Sequence, residues 1–254
     1  MIFITGDIHG SIDIRKLTSD KFPVGNKLTR SDYLIICGDF GLLWDDSNEE
    51  HYWLKWLDRK PWTTLWIDGN HENYDMIKDY PIEEWNGTKV QKITNNIIHL
   101  CRGSVFRLEG INFFAFGGAE SHDKEYRVPG KSIWEEELPT EEEIRHGREV
   151  LEKIDYKTDV VITHSMPTGI QNDIFFNKNY GTNILTNFFG EIDTRLDYKM
   201  WFSGHYHVSM QYDEKHFLIF DNIIKLTDGG FERVSPPPEK SSSYDDLPSS
   251  FDAV

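Results

Sequence analysis

Five short apolar runs in this chain end in the same way. Ile2–Thr5 leads into Gly6-Asp7-Ile8-His9-Gly10, and Tyr33–Cys37 into Gly38-Asp39. Thr64–Ile67 leads into Asp68-Gly69-Asn70-His71-Glu72. Val160–Thr163 leads into His164, and Met200–Phe202 into Ser203-Gly204-His205-Tyr206-His207. The runs are short and apolar on both faces, the pattern of strands covered on both sides. Ile97–Cys101, Ile111–Phe116 and Phe217–Phe220 read in the same way. A chain built on such strands must cover two sheet faces, which calls for helices between them.

Helical signals lie where that requires. Ser47-x-x-Glu50 is a capping-box pattern, with Trp53, Trp56 and Leu57 on one face after it. Thr140-x-x-Glu143 is a second, followed by Ile144, Leu151 and Ile154. Strands alternating with helices make an α/β fold. The acidic stretch 135–143 reads as a loop and a solvated helix start, where acids suit the helix dipole. The expected organisation is one domain over residues 1–234. The Pro-, Ser- and Asp-rich stretch 235–254 is expected to be a disordered tail.

Composition narrows the function. With 38% apolar residues over 254 positions, a sizeable core is available. The net charge of −16 argues against an electrostatic nucleic-acid groove. It says little about small phosphorylated substrates, because a bound cation inverts the local field. Cys37 and Cys101 form no CxxC and read as buried reduced thiols. The chain has neither a signal-peptide pattern nor a membrane-length apolar run, so a cytoplasmic protein is expected.

In open α/β sheets, ligands bind beyond the carboxyl ends of the strands. The residues placed there are Asp, Asn and His, oxygen and nitrogen donors without thiolate. Such a set suits Mn, Fe, Zn, Co or Ni rather than a structural cysteine–zinc site. Singly, each residue has a plainer reading. Asp7 could cap a helix over 11–17, Asp39 could sit in a turn, Asn70 suits a left-handed turn, and His164 could be a core histidine. Together these readings leave unexplained why all of them fall at strand ends in this order.

The ordered blocks Asp7-Ile8-His9, Gly38-Asp39, Gly69-Asn70-His71-Glu72, His164 and Gly204-His205-Tyr206-His207 resemble the signature of the calcineurin-like metallophosphoesterases. The resemblance implies a four-layer α-β-β-α sandwich of two mixed sheets flanked by helices. It implies two divalent metal ions bridged by Asp39, manganese being the expected choice in vitro. Asp7, His9, Asp39 and His207 would hold the first ion. Asp39, Asn70, His164 and His205 would hold the second. His71 would face the substrate and protonate the leaving oxygen. The implied reaction is hydrolysis of a phosphate mono- or diester by a metal-bridging hydroxide, with Asp39 and His71 as the catalytic residues.

The match departs from one branch of the family. The phosphoprotein phosphatases and dinucleoside-polyphosphate hydrolases carry Gly-Asp-x-x-Asp-Arg-Gly, whereas this chain reads GDFGLLW over residues 38–44. The missing Asp-Arg weighs against a serine/threonine protein phosphatase. It leaves Phe40 and Trp44 near Asp39, either as core residues or as a wall for a base or aryl group. The loop FGGAESHDKEYR (116–127) resembles a segment of bacterial and phage members. Lys124 or Arg127 could supply the missing phosphate contact, and Asn70, His122 and Arg127 are the candidate substrate-binding residues. A solvated turn is the competing reading of that loop. His51, His99, His146 and His216 are expected to be structural.

The expected partner is a small phosphorylated compound, with a mild lean towards a diester or nucleotide. A nuclease or nucleic-acid end-processing phosphatase is the alternative. A non-catalytic scaffold on the same fold would be expected to have lost ligands, and here the set is complete.

Overall fold

A computed structural model of the chain describes residues 1–175 and 180–235. The expected tail therefore lies outside the described residues, apart from Ser235. Among the described residues, fourteen strands form two sheets. The first sheet contains β1 (Ile2–Thr5), β2 (Tyr33–Ile36), β3 (Thr63–Trp66), β4 (Ile82–Trp85), β5 (Thr88–Lys92), β6 (Ile97–Leu100), β13 (Ile223–Thr227) and β14 (Gly230–Arg233), in the order β14-β13-β1-β2-β3-β6-β5-β4. The second contains β7 (Ser104–Leu108), β8 (Ile111–Phe116), β9 (Val160–Thr163), β10 (Met200–Ser203), β11 (Met210–Gln211) and β12 (His216–Leu218), in the order β11-β12-β10-β9-β8-β7. Both sheets are mixed. β1, β2, β3 and β6 run parallel, and so do β8, β9, β10 and β12, with antiparallel strands at the margins.

Alternation along the strands sorts the core into three layers. Ile2, Ile4, Ile35, Leu65 and Ile98 meet Phe113, Ala115, Val160, Ile162 and Phe202 between the sheets. The alternate residues Phe3, Leu34, Ile36, Trp66 and Ile97 face outward onto α1 (Asn48–Asp58) and α2 (Tyr74–Lys78) through Leu57 and Ile77. On the far side, Phe114, Phe116, Val161 and Trp201 pack against α3 (Glu141–Lys153), α4 (Thr168–Ile174) and α5 (Ile184–Arg195). This is the four-layer sandwich that the family resemblance implies. No helix among the described residues is long and apolar enough to cross a membrane.

Local details depart from the sequence reading. Residues 11–17 contain only a 3-10 turn over Ile14–Leu17, with no side-chain cap. The capping-box reading holds fully at Thr140, whose partner Glu143 bonds back. At Ser47 it holds by half. Ser47 Oγ accepts from Glu50 N at 3.2 Å, but the Glu50 carboxylate turns away to accept from Trp44 N and Asp45 N, at 2.6 and 3.0 Å. In the acidic stretch, Glu137 is buried rather than solvated, and its carboxylate accepts from Ser121 N at 3.0 Å. Both cysteines are free; Cys37 is buried and Cys101 half-buried. Burial raises both thiol pKa values, that of Cys101 to about 12, which leaves them unreactive at neutral pH.

Candidate metal centre

Each parallel strand delivers its terminal side chains to one end of the sandwich. The turns after β1 and β2 are laced together, since Asp39 O accepts from Ile8 N and His9 N at 3.0 and 2.9 Å. The turn after β3 closes on the same point. Asn70 N and His71 N both donate to Asp39 Oδ1 at 2.8 Å. From the second sheet, His164 Nε2 comes within 3.2 Å of that oxygen. The turn after β10 is held on Asp7, both of whose oxygens lie 3.1 Å from His205 N.

Two groups of donors result, and they share Asp39. Asp7, His9, Asp39 and His207 present ligand atoms within 4.8 Å of one another, as do Asp39, His164 and His205. Asn70 borders the second group through its contact with Asp39. The structure thus brings together all seven residues singled out as metal ligands. Asp7, Asp39, Asn70, His164 and His205 are buried, and His207 is half exposed.

Hydrogen bonding aims the imidazoles. His164 Nδ1 lies 2.7 Å from Cys37 O, which fixes the proton on Nδ1 and leaves the Nε2 lone pair turned inward. His9 Nδ1 is held by Asp13 at 2.7 Å, and its Nε2 lies 3.2 Å from Asp39 Oδ2. His9 Nε2, Asp39 Oδ2, Asn70 Oδ1 and His164 Nε2 are buried without a hydrogen-bond partner among the described residues. Buried polar atoms are normally satisfied. Four such atoms around one point, each with a lone pair to give, fit a cation-binding site.

The electrostatics agree. Burial by itself would lower the pKa of His164, but Asp39 outweighs it and carries it up to about 9. His9 is likewise lowered by burial and more than restored by Asp13 and Asp39, to about 10. Burial pushes Asp7 up. Asp39 resists the same push because His164 and His9 hold it well below the usual carboxylate range. The two carboxylates thus draw positive charge to this point, as a proton on an imidazole or as a cation.

Glycines make room for the cluster. A Cβ on Gly69 would stand 2.1 Å from Asp39 Oδ1, and one on Gly204 2.1 Å from Asp7 Oδ1. No side chain other than hydrogen fits there.

The remaining candidates divide. His71 lies beside the cluster, its ring edge-on to His9 with centroids 5.2 Å apart. Arg127 reaches it, with Nη2 3.1 Å from His71 Nε2. His122 Nε2 lies 3.1 Å from His205 Nε2. Lys124 instead pairs with Glu120. Phe40 is a core residue, stacked on Trp66 at 4.4 Å, so the aromatic-wall reading fails for it. Trp44 is half-buried and lines a cleft of ≈ 300 Å³ that runs outward from His9 and His71. His51, His99 and His216 pair with acidic groups outside the centre.

Sequence reasoning missed the supporting residues. Glu72 accepts from Phe40 N and Gly41 N at 2.7 and 3.1 Å, so it braces the Asp39 turn rather than facing a ligand. Lys16 is half-buried and donates to the carbonyls of Gly6, Asp7 and Phe220 at 3.1, 2.5 and 2.7 Å. Asp68 anchors the third turn through Arg102 at 2.6 and 2.9 Å. Ser121 Oγ receives Asn70 Nδ2 at 3.3 Å and so orients that amide. A signal existed for Asp13, four residues after His9, and for Glu72, inside a quoted motif.

The chain spans a little under half the length of the curated relatives it matches. It is 24% identical to the lariat debranching enzyme of Gallus gallus over 84% of this chain and 44% of that protein. It is 22% identical to lariat debranching enzyme A of Xenopus laevis over 89% and 46%. Among solved structures, a Staphylococcus aureus protein described as a 5′-nucleotidase, in complex with alpha-ketoglutarate, aligns with a TM-score of 0.47 and 16% identity. That alignment covers 92% of this chain and 52% of that one. The calcineurin-like phosphoesterase model matches residues 1–209, which contain every donor of the cluster described above. The chain belongs to the calcineurin-like phosphoesterase family.

Proposed function

We propose that this chain hydrolyses the phosphate mono- or diester of a small compound, using two divalent cations. The first would be held by Asp7, His9, Asp39 and His207, and the second by Asp39, Asn70, His164 and His205. The observation that carries this reading is the gathering of three buried donor atoms without a hydrogen bond, from His9, Asn70 and His164 on both sheets, around Asp39, whose Oδ2 is likewise without one. When bound, such a pair of ions lowers the pKa of a bound water and neutralises charge on the phosphoryl oxygens. Two carboxylates against two divalent cations and a hydroxide leave about one net positive charge, enough to receive a phosphate within an acidic protein.

The chain supplies positioning and protons. Arg127 and His122 border the cluster on the sides of His71 and His205, where a phosphoryl oxygen would be received. His71 is the proton donor to the leaving oxygen. Burial, and then the Arg127 guanidinium, hold its pKa below the ordinary value, against the pull of Asp39. A phosphoryl group that draws Arg127 onto its own oxygens releases His71 Nε2 and lets its pKa rise, which is the condition for proton donation.

A nucleic-acid phosphodiester is the second reading, favoured by the two relatives named lariat debranching enzymes. A steep salt dependence of affinity for an oligonucleotide would mark it.

The test is purification without chelator, elemental analysis, and a Mn²⁺-supplemented screen of nitrophenyl mono- and diesters, cyclic nucleotides and a short oligonucleotide. Two bound ions and turnover, both abolished in Asp39→Asn, are the expected result. An Asp39→Asn variant that keeps its metal and its turnover overturns the assignment. So does a protein with both ions bound that cleaves none of the esters.

A further inference from the structure

The cleft beside His71 has a composition of its own. Its inner end is His9 and His71, its walls include Leu42, Trp44 and Ile12, and its outer rim carries Asp45 and Glu49. Ile12 is 74% exposed and places an aliphatic side chain at the mouth of the cleft. Trp44 is held through its backbone N–H and carbonyl and through one contact of its ring. Its N–H is held by Glu50, and its carbonyl accepts from Asn73 Nδ2 at 2.7 Å. Its ring packs edge-on against Trp134 at 5.5 Å, and Trp134 is fixed in turn by its Nε1 bond to Asp75 at 2.9 Å. Such a ring is a preorganised platform rather than a mobile surface residue.

Charge sets a second constraint. Asp45 and Glu49 are exposed, and among the described residues the lining of the cleft contains no lysine or arginine. A further phosphate or carboxylate placed there would meet like charge with no counter-ion. A flat ring carrying donor groups or a positive charge would meet an aromatic face and carboxylate acceptors.

We infer that this cleft is the leaving-group pocket, and that it selects phosphoesters of flat aromatic alcohols that are neutral or cationic over those of aliphatic or anionic alcohols. The inference rests on the hydrolase reading above, because it is His71, as proton donor, that places the leaving oxygen at the inner end of the cleft. Trp44 and Ile12 are then specificity residues, and Asp45 and Glu49 discriminate by charge.

Binding of non-hydrolysable phosphonates to the Mn²⁺-loaded full chain, measured by calorimetry, tests this apart from turnover. Benzylphosphonate is expected to bind ~10-fold more tightly than methylphosphonate, the worth of one stacked ring. 4-(Trimethylammonio)benzylphosphonate is expected to exceed 4-carboxybenzylphosphonate by roughly 2- to 5-fold, the range of exposed charge pairs. Trp44→Ala should erase the first preference. The double variant Asp45→Lys, Glu49→Lys should reverse the second, and it alters only exposed side chains, so it keeps the test open if Trp44→Ala fails to fold. Equal binding of methyl- and benzylphosphonate by the unaltered chain overturns the inference. A charge preference unmoved by the double lysine variant does so too. Selective binding without hydrolysis of the matching esters would keep the pocket and refute the hydrolase reading instead.

Discussion

The packing of the centre can be tested with one methyl group. Gly204 follows β10, and a Cβ added to it would lie 2.1 Å from Asp7 Oδ1, 2.6 Å from Cys37 O and 3.1 Å from His164 Nδ1. Real Cβ contacts essentially never fall below 3.0 Å, so in Gly204→Ala the Asp7 carboxylate or the chain must retreat by about 1 Å. Neither has slack. Asp7 is tied through both oxygens to His205 N, and its carbonyl is tied to Lys16. Cys37 O is the acceptor that orients His164. The variant should lose ~1–3 kcal/mol of stability, typical of overpacking. A displacement of this size should also lower turnover by ~100-fold. Gly190→Ala is the control. It lies in α5, a Cβ there meets nothing within 4 Å, and helix propensity favours alanine by up to ~1 kcal/mol. Urea denaturation, calorimetric titration with Mn²⁺ and turnover of a nitrophenyl ester are measured on all three proteins. A Gly204→Ala variant that binds Mn²⁺ as tightly as the parent and turns over at the same rate refutes the proposed crowding of Asp7, Cys37 and His164.

Three further outcomes are expected. Asp13→Ala removes the carboxylate that orients His9 and should weaken Mn²⁺ binding by ~10–100-fold in calorimetric titration, with the fold unchanged by circular dichroism. Arg102→Leu leaves the buried Asp68 without its guanidinium and should cost ~3–5 kcal/mol in urea denaturation. That loss should shrink at strongly acidic pH, because Arg102 and His99 outweigh burial and hold the Asp68 carboxyl below its ordinary range, and the stability this confers vanishes as pH falls through that lowered value. At His216, burial lowers the pKa but Asp193 and Asp213 raise it by more, above the ordinary 6.5. Its contribution is therefore complete below pH 6.5 and is lost as pH rises through the raised value. The stability gap between the parent and His216→Gln, followed by thermal melts across pH 5–9, should narrow with rising pH.

What was legible in the sequence had a local signature. Eight of the fourteen strands showed because each is an apolar run, and the donors showed because they follow five of those strands directly; β4 (Ile82–Trp85), β5 (Thr88–Lys92) and β14 (Gly230–Arg233) carry charged residues and gave no such run. Thr140 and Glu143 announced α3 through three residues of spacing, and the full capping box formed. Less could be read where a residue acts at a distance. Asp68 stands in the quoted motif, yet nothing local says that Arg102 will neutralise it from beyond β6. Lys16 lies in a stretch that reads as an ordinary helix over 11–17, and only the fold brings its ammonium to the carbonyls of Asp7 and Phe220. Phe40 and Trp44 were indistinguishable as aromatic neighbours of Asp39. One stacks on Trp66 inside the sheet layer, and the other faces the cleft. Glu50 carried a correct signal for α1 and a second role invisible to spacing, since its side chain fixes the Trp44 turn instead of its own helix.

Backbone strain shows why the short turns matter more than the strands. Nine non-glycine residues among the described ones have positive φ, and four of them are His9, Asp39, His205 and His207, with φ of 40°, 48°, 71° and 53°. The other five are exposed or half-exposed turn residues, where such a conformation has room to relax. Asp39 and His205, both buried at the centre, do not. Each costs on the order of 1–3 kcal/mol and persists only because its surroundings over-determine it. The restraints are identifiable: Asp39 O holds Ile8 and His9, Glu72 holds Phe40 and Gly41, and Asp7 holds His205. A strand can bring a residue to the edge of the sheet, but its side chains point alternately up and down, not along its axis. To aim Asp39 and His205 at one point beyond the strand ends, the chain must reverse within one or two residues, which requires left-handed backbone. The glycines beside them permit the reversal, and the buried hydrogen bonds of the turns hold it. The donors are therefore fixed by the turn network before any ligand arrives, so removing Glu72 or Asp13 should disturb the centre without touching a single proposed ligand.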